Sequence, residues 1–214
     1  MCDESADNFD KIHNHATWAV AAVGMTGYVL RDQALVDKAL RGSKRDGKAG
    51  FLAQVDQLFS PDGYYAEGPY YQRYALAPFV LFANAIARNQ PQQRIFQRRD
   101  GVLLKAVDSL VQSSYGGYFF PINDAILDKG LDTEELVAGI GIAYAQTHDA
   151  QLLSIAQRQR RVLLTPKAWP WPARSRRTAP NRSPSAACCC AMAHRATRAR
   201  WRSCAAAATT ARRW

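Results

Sequence analysis

Two stretches of this chain, residues 16–30 and 74–87, are apolar on almost every side when wound into helices. A helix without a polar face has to be buried on more than one side. Burying two of them requires an outer layer of elements that each carry a single apolar stripe. That layer is legible in the sequence. Leu103, Leu104, Val107, Leu110 and Val111 recur at three- and four-residue spacing, and the apolar positions Leu136, Val137, Ile140 and Tyr144 mark a second such helix. The expected architecture is all-α, with inner helices wrapped by amphipathic outer ones. No alternating run is long enough for a sheet, and residues 63–66 and 118–120 are at most short strands. Helix pairs of similar length suit an α/α toroid of antiparallel pairs, although no internal repeat is visible.

Punctuation divides the chain further. Helices are expected over residues 13–30, 33–40, 51–59, 70–88 and 152–161, besides the two amphipathic segments. Residues 42–50 and 89–93 read as loops, Ser60-Pro61-Asp62-Gly63 is a turn signal, and Gly116-Gly117 breaks the chain after residue 115. Asp132 or Thr133 is expected to cap the following helix, and Asp124 is a candidate helix cap.

Composition separates one region from the rest. Residues 166–214 hold ten Arg and one Lys but no Asp or Glu, and they lack Leu, Ile, Val, Phe, Tyr, Gly and Gln altogether. No element with a core-facing stripe can be built from that set. The chain's net charge of +10 therefore belongs to this region, while residues 1–165 carry 17 basic and 18 acidic side chains. Basicity gives no reason to expect nucleic acid as a partner of the body.

The composition of residues 166–214 is that of a GC-rich gene translated out of frame. Lys167-Ala168-Trp169-Pro170-Trp171-Pro172 back-translates as AAG GCC TGG CCG TGG CCC. Begun one base earlier, with a C, the same bases encode Gln-Gly-Leu-Ala-Val-Ala. The expected organisation is a folded helical body, residues 1–165, followed by a disordered, frameshifted tail, residues 166–214. A basic arm binding nucleic acid or an acidic polymer is the competing reading of that tail.

The remaining bulk features exclude more than they assign. Cys188, Cys189 and Cys190 are consecutive and match no usual zinc spacing, and Cys2 stands alone in the body. The apolar run at residues 16–30 is interrupted by Gly24 and Gly27 and is short for a bilayer span, so no membrane partner is expected. The opening Met1-Cys2-Asp3-Glu4 is acidic and lacks an apolar signal core. Either the chain is intracellular or its natural beginning is missing, and the second is expected here. Oligomeric state is not legible.

Two clusters carry chemistry. His13-Asn14-His15-Ala16-Thr17-Trp18 opens a buried helix. Tyr64-Tyr65-Ala66-Glu67-Gly68-Pro69-Tyr70-Tyr71-Gln72-Arg73-Tyr74 follows a turn and leads into another, a position from which a loop presents side chains on a rigid support. The stretches Asn14–Trp18, Phe59–Tyr65, Glu67–Tyr74 and Phe119-Phe120-Pro121-Ile122-Asn123-Asp124 resemble, in order and spacing, the catalytic toroid of heparinase II/III-like alginate lyases. The likeness covers roughly residues 10–165.

That resemblance implies β-elimination on a uronate polymer or oligosaccharide, with no cofactor. A base removes the C5 proton, the C4 leaving oxygen is protonated, and the sugar carboxylate must be neutralised as charge develops. By the resemblance, Asn14 and His15 hold the carboxylate, with His15 also a candidate base, and Tyr71 is the catalytic tyrosine, with Tyr70 the alternative. Arg73 would favour a phenolate, Tyr74 would bind sugar hydroxyls, and Glu67 would lie against substrate or anchor the loop. His13 departs from the family, where a second Asn is expected.

The resemblance further implies toroid helices before this region and a β-sandwich domain after it, which supplies a second catalytic tyrosine and often a metal site. It places such proteins in the periplasm or outside the cell. The chain as written is expected to be a catalytic-domain fragment with little or no lyase activity. Two other readings compete. A toroid glycoside hydrolase would use Asp62 and Glu67 as its carboxylate pair, and a non-catalytic helical domain would stack its tyrosines on sugars. Each residue also has a plain structural alternative: His15 as a helix-start histidine, and the tyrosines as half-buried core residues.

Overall fold

The computed structural model describes residues 9–163. The expectation for residues 166–214 lies outside them, as does Cys2. The elements are α1 (Asn14–Leu30), α2 (Gln33–Arg41), α3 (Gly50–Gln57), α4 (Pro69–Asn89), two 3-10 turns (Pro91–Gln93 and Ile95–Gln97), α5 (Val102–Gln112), a hairpin of β1 (Ser114–Tyr115) and β2 (Tyr118–Phe119), α6 (Glu134–Thr147) and α7 (Ala150–Gln159). The fold is all-α, with strand structure confined to the hairpin and two isolated bridges among the described residues.

The local signals that start and stop these helices are physical ones. α1 ends where Arg31 turns left-handed (φ 57°), and the next residue, Asp32, caps α2 by accepting from the Ala34 and Leu35 N–H groups. The two helices thus form a tight hairpin. α4 begins with Pro69 in its first turn, where a missing N–H costs nothing. Thr133 takes the N-cap position of α6, and Asp149 caps α7 by accepting from Gln151 N–H. Asp124 is not a helix cap: it sits in the irregular segment between β2 and α6.

α1 packs on α2, α3 and α4, and α4 in turn packs on α5 and α6. Contacts between α1 and α4 ascend together along both helices. Trp18 meets Tyr74 with ring centroids 5.3 Å apart, and further along Tyr28 meets Phe82 at 6.2 Å. The two helices therefore run parallel, and their N-termini lie at one end. Gly24 permits the close approach, since a Cβ there would fall 2.0 Å from Phe82 Cζ. The glycines that interrupt the apolar run are thus sites of helix–helix contact.

α6 proved to be a third inner helix. The sequence places it in the outer layer, but Leu136, Val137, Gly139, Ile140, Gly141, Ile142, Ala143, Tyr144 and Ala145 are all buried. Its glycines explain the difference. Gly139 lies under Leu76 of α4, and Gly141 lies against Leu163 just beyond α7. Small residues read as gaps in an apolar stripe when they are in fact buried contact points.

The segment between α3 and α4 is held rather than loose. Phe59 bridges Tyr65 as an isolated antiparallel pair. Gly63 (φ +87°) lies so close to α5 that a Cβ would fall 2.4 Å from Ala106 N. Gly68 (φ +87°) lies similarly close to the carbonyl of Ile122. Both positions demand a backbone that other residues rarely adopt.

Candidate active site

The first cluster is built on the start of α1. His13 is the N-cap, and its ring Nδ1 accepts the His15 N–H at 3.2 Å. An Asn side chain would do the same job with its amide oxygen, so the departure at position 13 keeps the cap. Thr17 Oγ1 donates to the His13 carbonyl and is also paired with Gln54 Oε1 of α3. Gln54 is fully buried, and its amide reaches the Lys11 carbonyl. α3 thereby fixes where the first turn of α1 begins.

The second cluster is built on the segment entering α4, and Gln72 is its keystone. Fully buried, Gln72 donates to the Gly63 carbonyl at 3.0 Å and the Ala106 carbonyl at 2.9 Å, and accepts from Tyr65 N–H at 3.1 Å. One side chain therefore ties the loop, α4 and α5 together. The sequence reading gave Gln72 no role. An amide flanked by tyrosines near a glycine turn is the signal that could have found it.

The clusters meet at Asn14 and Glu67. Asn14, 3% exposed, donates its amide to Glu67 Oε2 at 3.0 Å, and the Asn14 Oδ1 is buried without a partner. On its other side Glu67 takes a hydrogen bond from the buried Tyr65 hydroxyl. Burial first, and then the Glu67 charge, push that phenol well above the ordinary tyrosine range. Tyr65 is a proton-holding neighbour that the sequence reading passed over.

Around this contact the predicted residues fall into two groups. His15 is exposed and faces Tyr74 edge-on at 6.4 Å, with Trp18 on the same tyrosine. Tyr70 and Tyr71 are half-buried and edge-to-face at 5.2 Å. Arg73 lies over the Tyr70 ring at 4.6 Å and pairs with Glu135 of α6 at 2.7 Å. Arg73 is 8% exposed, so its charge is directed at Glu135 and Tyr70, with its Nε left unpartnered. Across the helix interface His15 meets Tyr74, whereas Tyr71 meets its own neighbour Tyr70 within α4.

Asp62, the other carboxylate named from sequence, is turned into its own loop. It is paired with the Ser60 hydroxyl, which holds its carboxyl below the usual range together with the Tyr64 N–H. Among the described residues no group of three or more His, Cys, Asp or Glu is placed to hold a metal ion. No described helix is long and apolar enough to cross a membrane.

The family model for alginate lyase matches residues 3–117 of this sequence. The chain belongs to the alginate lyase family. It is 79% identical over 160 residues to an alginate lyase of Stenotrophomonas maltophilia (strain K279a), an overlap of 75% of this chain and 22% of that protein. It is 61% identical over 162 residues to an exo-oligoalginate lyase of Saccharophagus degradans (strain 2-40), covering 76% of this chain and 22% of the relative. The chain thus spans about a fifth of the length of the curated relatives it matches. Within the alginate lyase match lie both clusters, with Asn14, His15, Glu67, Tyr70, Tyr71, Arg73 and Tyr74.

Proposed function

We propose that this chain carries one wall of the catalytic cleft of a polysaccharide lyase that cleaves alginate, or a similar uronate polymer or oligosaccharide, by β-elimination. The observation that carries the reading is the contact between Asn14 and Glu67. It joins two polar motifs 53 residues apart at the common N-terminal end of two parallel helices. Both helix N-termini direct partial positive charge toward that end, which suits an anionic sugar.

In this reading Asn14 and His15 take the uronate carboxylate. Neutral donors there offset charge as the C5 proton leaves, and that proton is otherwise too weakly acidic to move. The electron pair of the C5–H bond becomes the C4–C5 double bond, the C4–O bond breaks, and the leaving oxygen receives a proton. Tyr71 delivers that proton, with Tyr70 as the alternative donor, and His15 or the tyrosine itself takes the C5 proton. Tyr74, between His15 and Trp18, binds sugar hydroxyls. Glu67 orients Asn14, and Arg73 with Glu135 sets the start of α4.

The helical body forms an arc of an α/α toroid, and the rest of the cleft belongs to segments that the longer relatives possess. The 214-residue chain alone therefore has little or no turnover, and the place of action proposed for the protein is the periplasm or the cell exterior. A hydrolase reading has less support, because Asp62 is engaged by Ser60 while Glu67 is engaged by Asn14 and Tyr65, and hydrolysis needs both carboxylates facing the bond.

Product analysis separates these readings. A full-length relative incubated with alginate oligosaccharide is expected to release unsaturated uronates that absorb in the ultraviolet. Saturated, water-added ends would overturn the elimination chemistry. The isolated chain is expected to release neither, and robust turnover by it would contradict the single-wall reading.

A further inference from the structure

The motif running from Phe119 to Asp124 has no part in the chemistry above, yet it leads away from a built cavity. β1 and β2 are joined by Gly116 (φ 62°) and Gly117 (φ 99°), a two-residue turn in which both glycines take positive φ. Tyr115 and Tyr118 are cross-strand partners, so their side chains leave the same face of the hairpin. They are 82% and 60% exposed, whereas Phe119, on the opposite face, is 7% exposed and enters the core. Two aromatic rings are thus offered to solvent by a hairpin anchored on its other side.

Beside that hairpin is a cavity of about 350 Å³ lined by Gly117, Tyr118, Asp128, Asp132, Arg158 and Gln159, among others. Its wall is rigid. Leu131 N–H bonds the Gly117 carbonyl at 2.9 Å, Phe119 N–H bonds the Lys129 carbonyl at 3.1 Å, and Gly130 is pressed so closely on Gly117 that no Cβ would fit. Gln159 is 6% exposed; its amide donates to the Leu131 carbonyl at 2.5 Å, and its Oε1 is buried with no hydrogen-bond partner. Gln159 therefore ties the end of α7 to the wall of the cavity through its amide. Arg158 is exposed and has no carboxylate partner among the described residues.

We infer that this cavity is a second saccharide-binding site that takes an acidic sugar unit. Tyr118 provides the stacking face, Arg158 pairs with the sugar carboxylate, and Asp128 and Asp132 accept from its hydroxyls. The donor and acceptor set is that of a pyranose carrying one carboxylate. Each Asp is an acceptor-only group suited to hydroxyls, and the guanidinium fork matches a carboxylate. The volume falls at the small end of the range for ligand clefts, about 300–1,000 Å³. Asp128 lies 3.7 Å from Lys129, which offsets its charge toward an anionic ligand. The segment after β2 connects the two regions, since Asn123 Nδ2 donates to the Ala66 carbonyl at 2.8 Å, next to Glu67. A saccharide seated at the hairpin is held by the same body that presents the candidate catalytic wall. The choice of an acidic over a neutral sugar rests in part on the lyase reading; the site itself does not.

The test is a titration of the full 214-residue chain, labelled with ¹⁵N, against an alginate trisaccharide and a neutral mannose trisaccharide. Saturable shifts are expected at the amides of Gly117, Tyr118 and Gln159, stronger for the acidic sugar. Tyr118→Ala and Arg158→Gln, both at exposed side chains, are each expected to weaken this binding about tenfold, and Arg158→Gln to remove the preference for the acidic sugar. Tyr71→Phe is expected to leave these shifts unchanged, so failure of the catalytic reading would not mimic failure here. No saturable change at these amides up to about 10 mM sugar, or binding indifferent to both variants, would overturn the site. Equal binding of the neutral sugar would overturn its acidic specificity.

Discussion

Asn14 and Glu67 meet at 3.0 Å, amide to carboxylate, across the end of two parallel helices. A carboxylate can only accept, so it fixes which side of the Asn14 amide faces it. The other end of that amide, Oδ1, has no partner, so Glu67 alone sets the orientation. Glu67 is held in turn by the Tyr65 hydroxyl, and Tyr65 is held at its backbone by Gln72. A chain of single contacts thus runs from α5 to the first turn of α1.

Gln72 is the place to break that chain. Gln72→Leu keeps the volume but strands the Gly63 carbonyl and the Tyr65 N–H, both buried against it, and removes a second donor from the Ala106 carbonyl inside α5. Each orphaned group costs on the order of 1 kcal/mol or more, so a loss of about 2 kcal/mol is expected from the two. The midpoint of urea unfolding measures it, and a change below about 1 kcal/mol would mean that the loop holds itself.

Arg73 and Glu135 make a partly buried pair between α4 and α6. Glu135→Ala leaves Arg73, only 8% exposed, without its carboxylate. Removing one partner of a fully buried pair costs about 3–5 kcal/mol; Glu135 is 25% exposed, which reduces the expected loss to about 2 kcal/mol by solvent screening. The double variant Arg73→Met, Glu135→Ala should recover part of that loss in the same unfolding experiment. No recovery would show that the two residues act independently.

How far the sequence alone carried the reading depends on what each residue had to reveal. The extents of α1, α2 and α4 were legible because apolar runs bounded by turn-forming residues need no tertiary context to be seen, and the structure then placed His13, Asp32 and Gly68 as their caps. The inner position of α6 was not, because Gly139 and Gly141 look neutral until Leu76 and Leu163 are placed against them. Within the site, Asn14 and Glu67 were named separately, and nothing in spacing says that residues 53 apart touch. Arg73 was read as a charge for a phenolate, but its partner Glu135 comes from a helix 62 residues further on. Pairings of that kind are properties of packing, and local pattern does not encode them.

Tyr28 gives an alkaline signature. Its hydroxyl is buried without a hydrogen-bond partner, and burial, with a smaller contribution from Asp37, pushes its pKa up to about 12 from 10.0. The folded state therefore keeps the proton over a range where the unfolded chain has lost it. Stability from this group is independent of pH below about 10 and falls between about pH 10 and 12. Tyr28→Phe is expected to be neutral or mildly stabilising at pH 7 and to flatten part of that alkaline fall. Unfolding midpoints taken across the range check this, and an unchanged slope in the variant would contradict it.

The central claim is that the Asn14 amide and the Tyr71 phenol serve one sugar, as carboxylate clamp and proton donor. The most direct measurement introduces Asn14→Ala, Tyr71→Phe and both together into a full-length relative and follows unsaturated product on alginate oligosaccharide. Each single change is expected to lower kcat/KM by at least about a hundredfold, and the double change by much less than the product of the two, because residues acting as a unit are non-additive. Near-full activity in either single variant would contradict the account.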